Sequence, residues 1–294
     1  MRKTLREPRR VATLLGHAHV EMALACLESL LRHSADPLHL RVHEDGSLDE
    51  EDRERLARGL GDPEFVPRAE ADARVEDLLA GRPALRAFRR ENPLALKLID
   101  IPFLAGMADG DLAYCDSDVL FLRPFADLFR FPGPETGAET GAVFMSDRQN
   151  AYSLRSWHLL ARPRLALPCR VNSGVLLFRT RFFDPDLLEW YLSRPELGFA
   201  PVWVEQTAWA LLGQRAGCRL WDPGLLRLPE AGEQPGDPVA LHFVSPLRGL
   251  LPRFLERAPD RTGEPPVAVG TVPARRCRSW DLALTEARRR LARL

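Results

Sequence analysis

Near the middle of the chain an apolar run delivers two carboxylates to one place: Leu112-Ala-Tyr-Cys-Asp116-Ser-Asp118-Val-Leu-Phe-Leu122. The residues before Asp116 read as a buried strand, and the apolar run resumes after Asp118. In α/β folds, ligands gather at the carboxyl ends of strands. Two ionised carboxylates held there need a compensating charge. A divalent cation supplies it: Mg²⁺ takes one or two protein carboxylates and keeps positions for water and phosphate oxygens. The spacing alone discriminates nothing, because Asp109-Gly-Asp111 and Asp184-Pro-Asp186 share it. Asp109 and Asp111 flank a glycine in a loop ahead of the strand. Asp184 precedes a proline where a helix starts, an N-cap position. Asp116 and Asp118 alone follow a buried strand directly. The competing reading of that pair is a surface turn.

Four further segments carry residues of chemical interest. Val171-Asn172-Ser173-Gly174-Val-Leu-Leu-Phe is a strand that opens on polar side chains. Glu205-Gln206 starts a helical apolar run, and His242-Phe243 is followed by Arg248 six residues after the histidine. Lys97 lies in a Lys-Leu-Ile setting upstream of the aspartate pair, with Asp100 one turn on. Three of them have a plain alternative: an ordinary buried strand, a structural histidine, a solvated helix lysine. The opening Thr13-Leu-Leu-Gly16-His17 ends a first strand in small residues, which leaves backbone open to a ligand.

Taken in order, these segments resemble the motifs of GT-A glycosyltransferases, particularly the family 8-like group. Tyr114-Cys-Asp116-Ser-Asp118-Val-Leu-Phe looks like its DxD segment, and Val171-Asn172-Ser173-Gly174 resembles its Asn-(Ser/Ala)-Gly strand. Glu205-Gln206 resembles its Asp-Gln pair, His242-Phe243 with Arg248 its His-Phe-x-Gly-x-x-Lys, and Lys97-Leu-Ile its Arg/Lys-Leu-Leu. The departures are Glu205 for Asp, Ser245 for Gly, Arg248 for Lys, and no Pro-Trp after Arg248.

The resemblance implies a GT-A architecture and transfer of a sugar from a nucleotide-diphosphate donor, UDP-linked by analogy, with retention. It implies Asp116, Asp118 and His242 as ligands of Mn²⁺ or Mg²⁺; the mixed oxygen and nitrogen set fits Mn²⁺ at least as well. Lys97, Asp116, Asn172, Ser173, Gly174 and Arg248 become donor-binding residues, with Thr13 and Gly16 receiving the nucleotide base. Glu205 and Gln206 become the catalytic candidates beside the anomeric carbon, where an oxocarbenium-like transition state is helped by nearby oxygens. Were the reaction inverting, Glu205 or Asp147 would be the general base. Two other functions fit the residues: a haloacid-dehalogenase-type phosphohydrolase, whose nucleophile is the first Asp of an Asp-x-Asp after a strand, and a nucleotide-sugar-binding protein without turnover.

These residues need elements to position them. Val11–Leu15 reads as a buried strand, and Val20, Ala23, Leu24, Leu27, Leu30 and Leu31 fall at helical spacing. Leu38–His43 predicts a second strand and Leu48–Leu60 a charged helix. Helices follow over Glu70–Glu91, broken near Gly81 and Pro83, and over Leu94–Met107, bent at Pro102. Further strands are expected at Asp111–Tyr114, Gly141–Met145, Val171–Phe178 and Val239–Phe243, helices at Phe183–Leu192 and Val204–Leu212, and a Pro/Gly-rich loop at Phe131–Thr140. Alternating strands and helices predict an α/β fold with a mostly parallel central sheet flanked by helices. No repeat or long linker divides the chain, so residues 1–294 are expected to form one catalytic domain.

The 294 residues are 45% hydrophobic, enough for a sizeable core. Lys plus Arg number 41, as do Asp plus Glu, so nothing in the charge balance points to nucleic acid. Anions must be held by local arrangement. The five cysteines are widely spaced, which reads as reduced buried thiols. No secretory leader or membrane span is read, and the expected location is the cytoplasm. The tail from Ser279 places Trp280, Leu284, Ala287, Leu291 and Leu294 on one stripe, with Arg288, Arg289, Arg290 and Arg293 largely off it. Either the stripe packs on the body, or the basic amphipathic helix touches anionic lipid on the inner face of a membrane or an acidic partner. The acceptor class (glycan, lipid, protein or small molecule) is left open.

Overall fold

A computed structural model describes residues 7–108, 110–133, 139–162, 165–198, 200–230 and 238–291. Asp109, part of the Pro/Gly-rich loop and the last three residues of the tail lie outside them. The opening apolar run is strand β1 (Arg9–Leu15), which leads to helix α1 (Val20–His33). Helix α1 buries Val20, Ala23, Leu27 and Leu30, the single apolar stripe its spacing predicts. Strand β2 (Leu38–Glu44) then runs parallel to β1, Arg9 opposite Leu38 through Leu15 opposite Glu44. Asp49 caps α2 (Glu50–Leu60) in a reciprocal box with Asp52, and Gly61 ends that helix at φ 73°, a left-handed conformation suited to glycine.

Strand β3 (Glu64–Val66) is followed by α3 (Arg68–Leu79) and α4 (Pro83–Glu91), split where Gly81 and Pro83 predict. The helix expected over Leu94–Met107 is two pieces, α5 (Ala95–Leu98) and α6 (Asp100–Ala108). The break falls at Ile99 and not at Pro102, because Pro102 sits in the first turn of α6, where a missing N–H costs little. Then come β4 (Asp111–Cys115), β5 (Val119–Phe121), β6 (Phe125–Ala126), β7 (Ala142–Ser146), α7 (Ser156–Ala161) and β8 (Val171–Arg179). Helices α8 (Pro185–Leu192) and α9 (Val204–Ala216) follow, and the Asp184 side chain caps α8 by accepting from the Leu187 N–H, as expected. The chain closes with β9 (Cys218–Trp221), β10 (Leu226–Arg227), β11 (Ala240–His242), α10 (Leu251–Arg257), β12 (Val267–Ala268), β13 (Thr271–Pro273) and α11 (Ser279–Leu291).

The main sheet has the order β13-β9-β7-β8-β4-β1-β2-β3. Strands β1, β2, β3, β4, β7 and β9 share one direction, which makes the sheet mostly parallel, but β8 runs antiparallel between β4 and β7. Both faces are covered. Leu112, Tyr114, Phe144, Leu176 and Phe178 point into one core, and Ala113, Cys115, Val143, Val175 and Leu177 into the other. Strands buried on both sides need apolar residues at every position, which is why they read as unbroken runs. A small second sheet, β10-β11-β5, stands beside the end of β4. The five cysteines are free thiols, all buried except the half-buried Cys218. Among the described residues no helix is long and apolar enough to cross a membrane.

Strand β2 buries a titratable group that the rest of the fold tolerates only when neutral. His43 is buried with no hydrogen-bond partner for Nδ1 among the described residues. Burial, reinforced by Arg41 and Arg74, pushes its pKa from 6.5 down to about 3. The unfolded chain therefore takes up a proton that the folded chain refuses, and stability falls as pH drops below the usual imidazole range. At about pH 5 this costs on the order of 2 kcal/mol. His43→Leu should flatten the fall in Tm between neutral and mildly acidic pH; identical slopes for the two proteins would refute the assignment.

Candidate active site

The end of the sheet at which β1, β2, β4 and β7 finish is also where the antiparallel β8 begins. Cys115 at the end of β4 pairs with Val175, and the Asp116 N–H donates to the Gly174 carbonyl at 2.7 Å. The Asn172-Ser173-Gly174 segment thus lies against the turn that bears the two aspartates. On the other side, β11 runs antiparallel to β5 with His242 opposite Val119, and the Phe243 N–H donates to the Asp118 carbonyl at 2.8 Å. Backbone pairing alone sets the imidazole beside Asp118. Lys97 reaches in from α5, and Glu205 from the first turn of α9.

His242 Nε2 lies 3.0 Å from Asp118 Oδ1 and 3.6 Å from Asp116 Oδ2. Arg248 donates to Asp118 Oδ2 through Nε (3.0 Å) and Nη2 (2.8 Å), so Asp118 is held from both sides. Asp116 accepts from Lys97 Nζ at 2.8 and 3.0 Å and from the Tyr114 hydroxyl at 2.6 Å. Lys97 Nζ also donates to Ser173 Oγ at 3.1 Å, stands 3.8 Å from Glu205 Oε1 and lies 4.8 Å over the Tyr114 ring. Ser173 Oγ in turn donates to the Glu205 carboxylate at 3.1 Å.

Asn172 settles the imidazole tautomer. Its Oδ1 accepts from the Gly174 N–H at 2.9 Å and lies 2.9 Å from His242 Nδ1. An amide oxygen only accepts, so Nδ1 carries a proton and Nε2 is the atom turned to the two carboxylates. Its Nδ2 donates to Asp147 Oδ2 at 3.4 Å. Gly174 permits this packing, since a Cβ there would stand 2.2 Å from His242 Nδ1.

Burial alone would neutralise most of these groups; their neighbours decide otherwise. Burial lowers the Lys97 pKa, but Asp116 and Glu205 outweigh it and keep the ammonium charged. Burial likewise opposes charge on His242 and on Asp118, yet their mutual attraction raises the histidine and, with Arg248, lowers the aspartate. Burial dominates at Glu205 and Asp147, whose carboxyls both titrate above the usual range.

The structure gathers Asp116, Asp118, His242, Arg248, Lys97, Asn172, Ser173, Gly174 and Glu205 into this one network. Three expected residues lie apart from it. Gln206 points its Nε2 to the Ala151 carbonyl at 3.0 Å and so braces the segment after β7. Thr13 lies within β1 with its side chain fully buried. Gly16 follows β1 and touches Asp45 so closely that a Cβ would meet that carboxylate at 2.0 Å. Asp100, one turn after Lys97, pairs with Arg89 at 2.6 Å. Two residues were missed. Tyr114 could have been found as a buried tyrosine whose hydroxyl needs a partner. His19, which accepts from Arg248 Nη1 at 3.0 Å, carries no sequence signal, because its partner is 229 residues away.

Three ligand atoms, from Asp116, Asp118 and His242, lie within 4.8 Å of one another. A two-carboxylate, one-imidazole set with Nε2 already aimed inward fits a divalent cation. Cavity size does not mark the place: a volume of about 780 Å³ lined by Trp190, Leu187 and Leu211 lies by α8 and α9 and includes none of these residues.

No family model matches the chain, and no curated protein does. Solved structures do. The chain is similar to mouse xyloside xylosyltransferase 1 in its apo form, at 13% identity over 82% of this chain and 99% of that one, with a TM-score of 0.56. It is similar to galactosyltransferase LgtC in complex with donor and acceptor sugar analogs, at 17% identity, 87% and 97% coverage and a TM-score of 0.54. The chain has the GT-A glycosyltransferase fold. The bifunctional glycosyltransferase WbbM gives the same answer at 10% identity, 83% of this chain, 47% of that one and a TM-score of 0.51. Such identities carry the fold and not the role of any residue. The phosphohydrolase alternative falls here, since it rested on an aspartate pair belonging to a different fold.

Proposed function

We propose that this chain is a divalent-metal-dependent glycosyltransferase that moves a sugar from a nucleoside-diphosphate donor, a UDP-sugar by resemblance, to an acceptor with retention, the whole chain acting as one catalytic domain. The observation that carries this reading is the convergence of Asp116, Asp118 and His242 at the end of β4 in a GT-A fold, beside the ammonium of Lys97 and the carboxyl of Glu205. Xyloside xylosyltransferase 1 and LgtC, with the same fold, are transferases of sugars.

Bound Mn²⁺ or Mg²⁺ would neutralise charge on the departing diphosphate. Arg248 is partly exposed and placed to meet a phosphate while keeping Asp118 in position. Lys97 stabilises negative charge without reorganising, because its contacts already fix it. Glu205, with Ser173 aligning its carboxylate, is the group beside which positive charge on the sugar ring would develop. Gln206 braces the Ala151 carbonyl in the segment after β7, and Gly16, packed on Asp45, would receive the base where β1 ends.

The test is UDP release from a panel of UDP-sugars with Mn²⁺. One donor should be hydrolysed, and a chelator should stop it. Nucleotide binding with no UDP released from any donor would favour a binding protein without turnover. Retention is read from the anomeric configuration of the product. A further expectation concerns Asn172. Asn172→Leu frees the imidazole to rotate or change tautomer, so Mn²⁺ affinity, read by electron paramagnetic resonance, should fall about 10–100-fold. An unchanged affinity would remove Asn172 from this role.

A further inference from the structure

The outward face of α11 carries apolar side chains that the body of the protein does not cover. Trp280, Leu284 and Leu291 are 53%, 58% and 71% exposed, and Trp157 and Leu160 of α7, against which α11 packs, are 49% and 69% exposed. The side of α11 turned to the body is instead that of Leu282 and Thr285. The stripe of Trp280, Leu284, Ala287 and Leu291 therefore points away from the core, which overturns the reading that packs it inward.

Charge frames this stripe. At about 100° per residue, Arg288 and Arg290 stand roughly 80° to either side of it. Arg278 lies over the Trp280 ring at 4.7 Å. The chain has no net charge, yet residues 275–291 hold Arg275, Arg276, Arg278, Arg288, Arg289 and Arg290 against Asp281 and Glu286. Both acids are turned to protein partners: Asp281 accepts from Arg275 at 2.7 Å, and Glu286 accepts from the Ser156 N–H at 2.7 Å. Apolar and tryptophan side chains flanked by arginines are the composition of a helix that lies in a lipid interface.

We propose that the α7–α11 face docks on an anionic bilayer, with the apolar stripe at the acyl boundary and the flanking arginines at lipid phosphates. Arg289 joins this face to the active-site side of the molecule: it donates to the Asn150 carbonyl at 3.3 Å and stacks on Trp203, two residues before Glu205. The helix that carries the docked face is thus tied to the segment between β7 and β8 and to the residues just ahead of α9. The surface chemistry carries this proposal, and it stands whether or not the proposed reaction does.

The full chain is sedimented with phosphatidylcholine vesicles, with and without roughly one third phosphatidylglycerol. Binding should require the anionic lipid and should fall at about 0.5 M salt. Trp280→Ser with Leu284→Ser, and separately Arg288→Glu with Arg290→Glu, should each weaken partitioning by on the order of tenfold or more. These side chains are exposed, so Tm should not move. Arg58→Glu with Arg74→Glu, on exposed sites of α2 and α3, should bind as the parent does. Binding without anionic lipid, no binding, equal loss in the α2/α3 control, or retention by either α11 variant would overturn the proposal. So would a dimer in solution that the serine variant splits, because the face would then belong to a second copy.

Discussion

Asp118→Asn is expected to lower UDP-sugar turnover by on the order of 10³-fold and to weaken Mn²⁺ binding by more than about 100-fold. The substitution keeps the side chain's shape and removes its charge. Asp118 is buried between His242 and Arg248, so the asparagine can still accept from Arg248 and the local fold should persist. What is lost is an anionic oxygen that, with Asp116 and the imidazole, completes the proposed ligand set. The stability change should be modest, because Arg248 is partly exposed and can turn to water. Activity and metal affinity should therefore collapse while Tm shifts little. Turnover within about threefold of the parent would show that the aspartate holds no metal in the reaction.

Lys97→Met should have the largest effect on stability. The ammonium is buried and serves Asp116, Ser173 and Glu205 together. Methionine fills the volume but leaves two carboxylates facing each other without a cation. Removing one partner from a buried ion pair costs about 3–5 kcal/mol, or roughly 5–15 °C in Tm for a chain of this size. The sign of the pH dependence follows from Glu205. Burial already raises its pKa, and Lys97 is the main influence pulling it down. Without Lys97 the folded state holds the Glu205 proton to higher pH, so the stability deficit should shrink as pH falls. Adding Glu205→Gln to Lys97→Met should recover part of the lost Tm but none of the activity. Equal Tm for Lys97→Met and the parent would mean that the buried cation is not what keeps this cluster together.

Much of the scaffold is legible in the sequence because burial on both faces makes the cores of β1, β4, β8 and β11 apolar runs, while β2 shows itself by the alternation of Leu38, Leu40 and Val42. The short strands β9, β10, β12 and β13 are not. Each has two to four residues, too few for a pattern, and exists because a neighbouring strand offers it a ladder. In the site, Asp116 and Asp118 stand out because they leave a buried strand directly. The place of His242 came from a resemblance, since nothing in a gap of more than a hundred residues says that β11 will pair with β5. The Thr13 side chain is fully buried in β1, a placement set by packing across the sheet that its position near a strand end does not reveal.

Local chemistry decided which segments would go inside, where Asp49 and Asp184 would start helices, and that a carboxylate pair would emerge from the central strand. Those outcomes depend on one turn of helix or one strand, over which propensity and hydrophobic spacing act directly. Tertiary structure alone decided that β8 would enter the sheet antiparallel and bring Asn172, Ser173 and Gly174 to the aspartates. It also decided that Asn172 would face His242 rather than open space, and that the apolar stripe of α11 would face outward. Strand direction and helix facing change little in local energy; they are chosen by which distant surfaces close on one another.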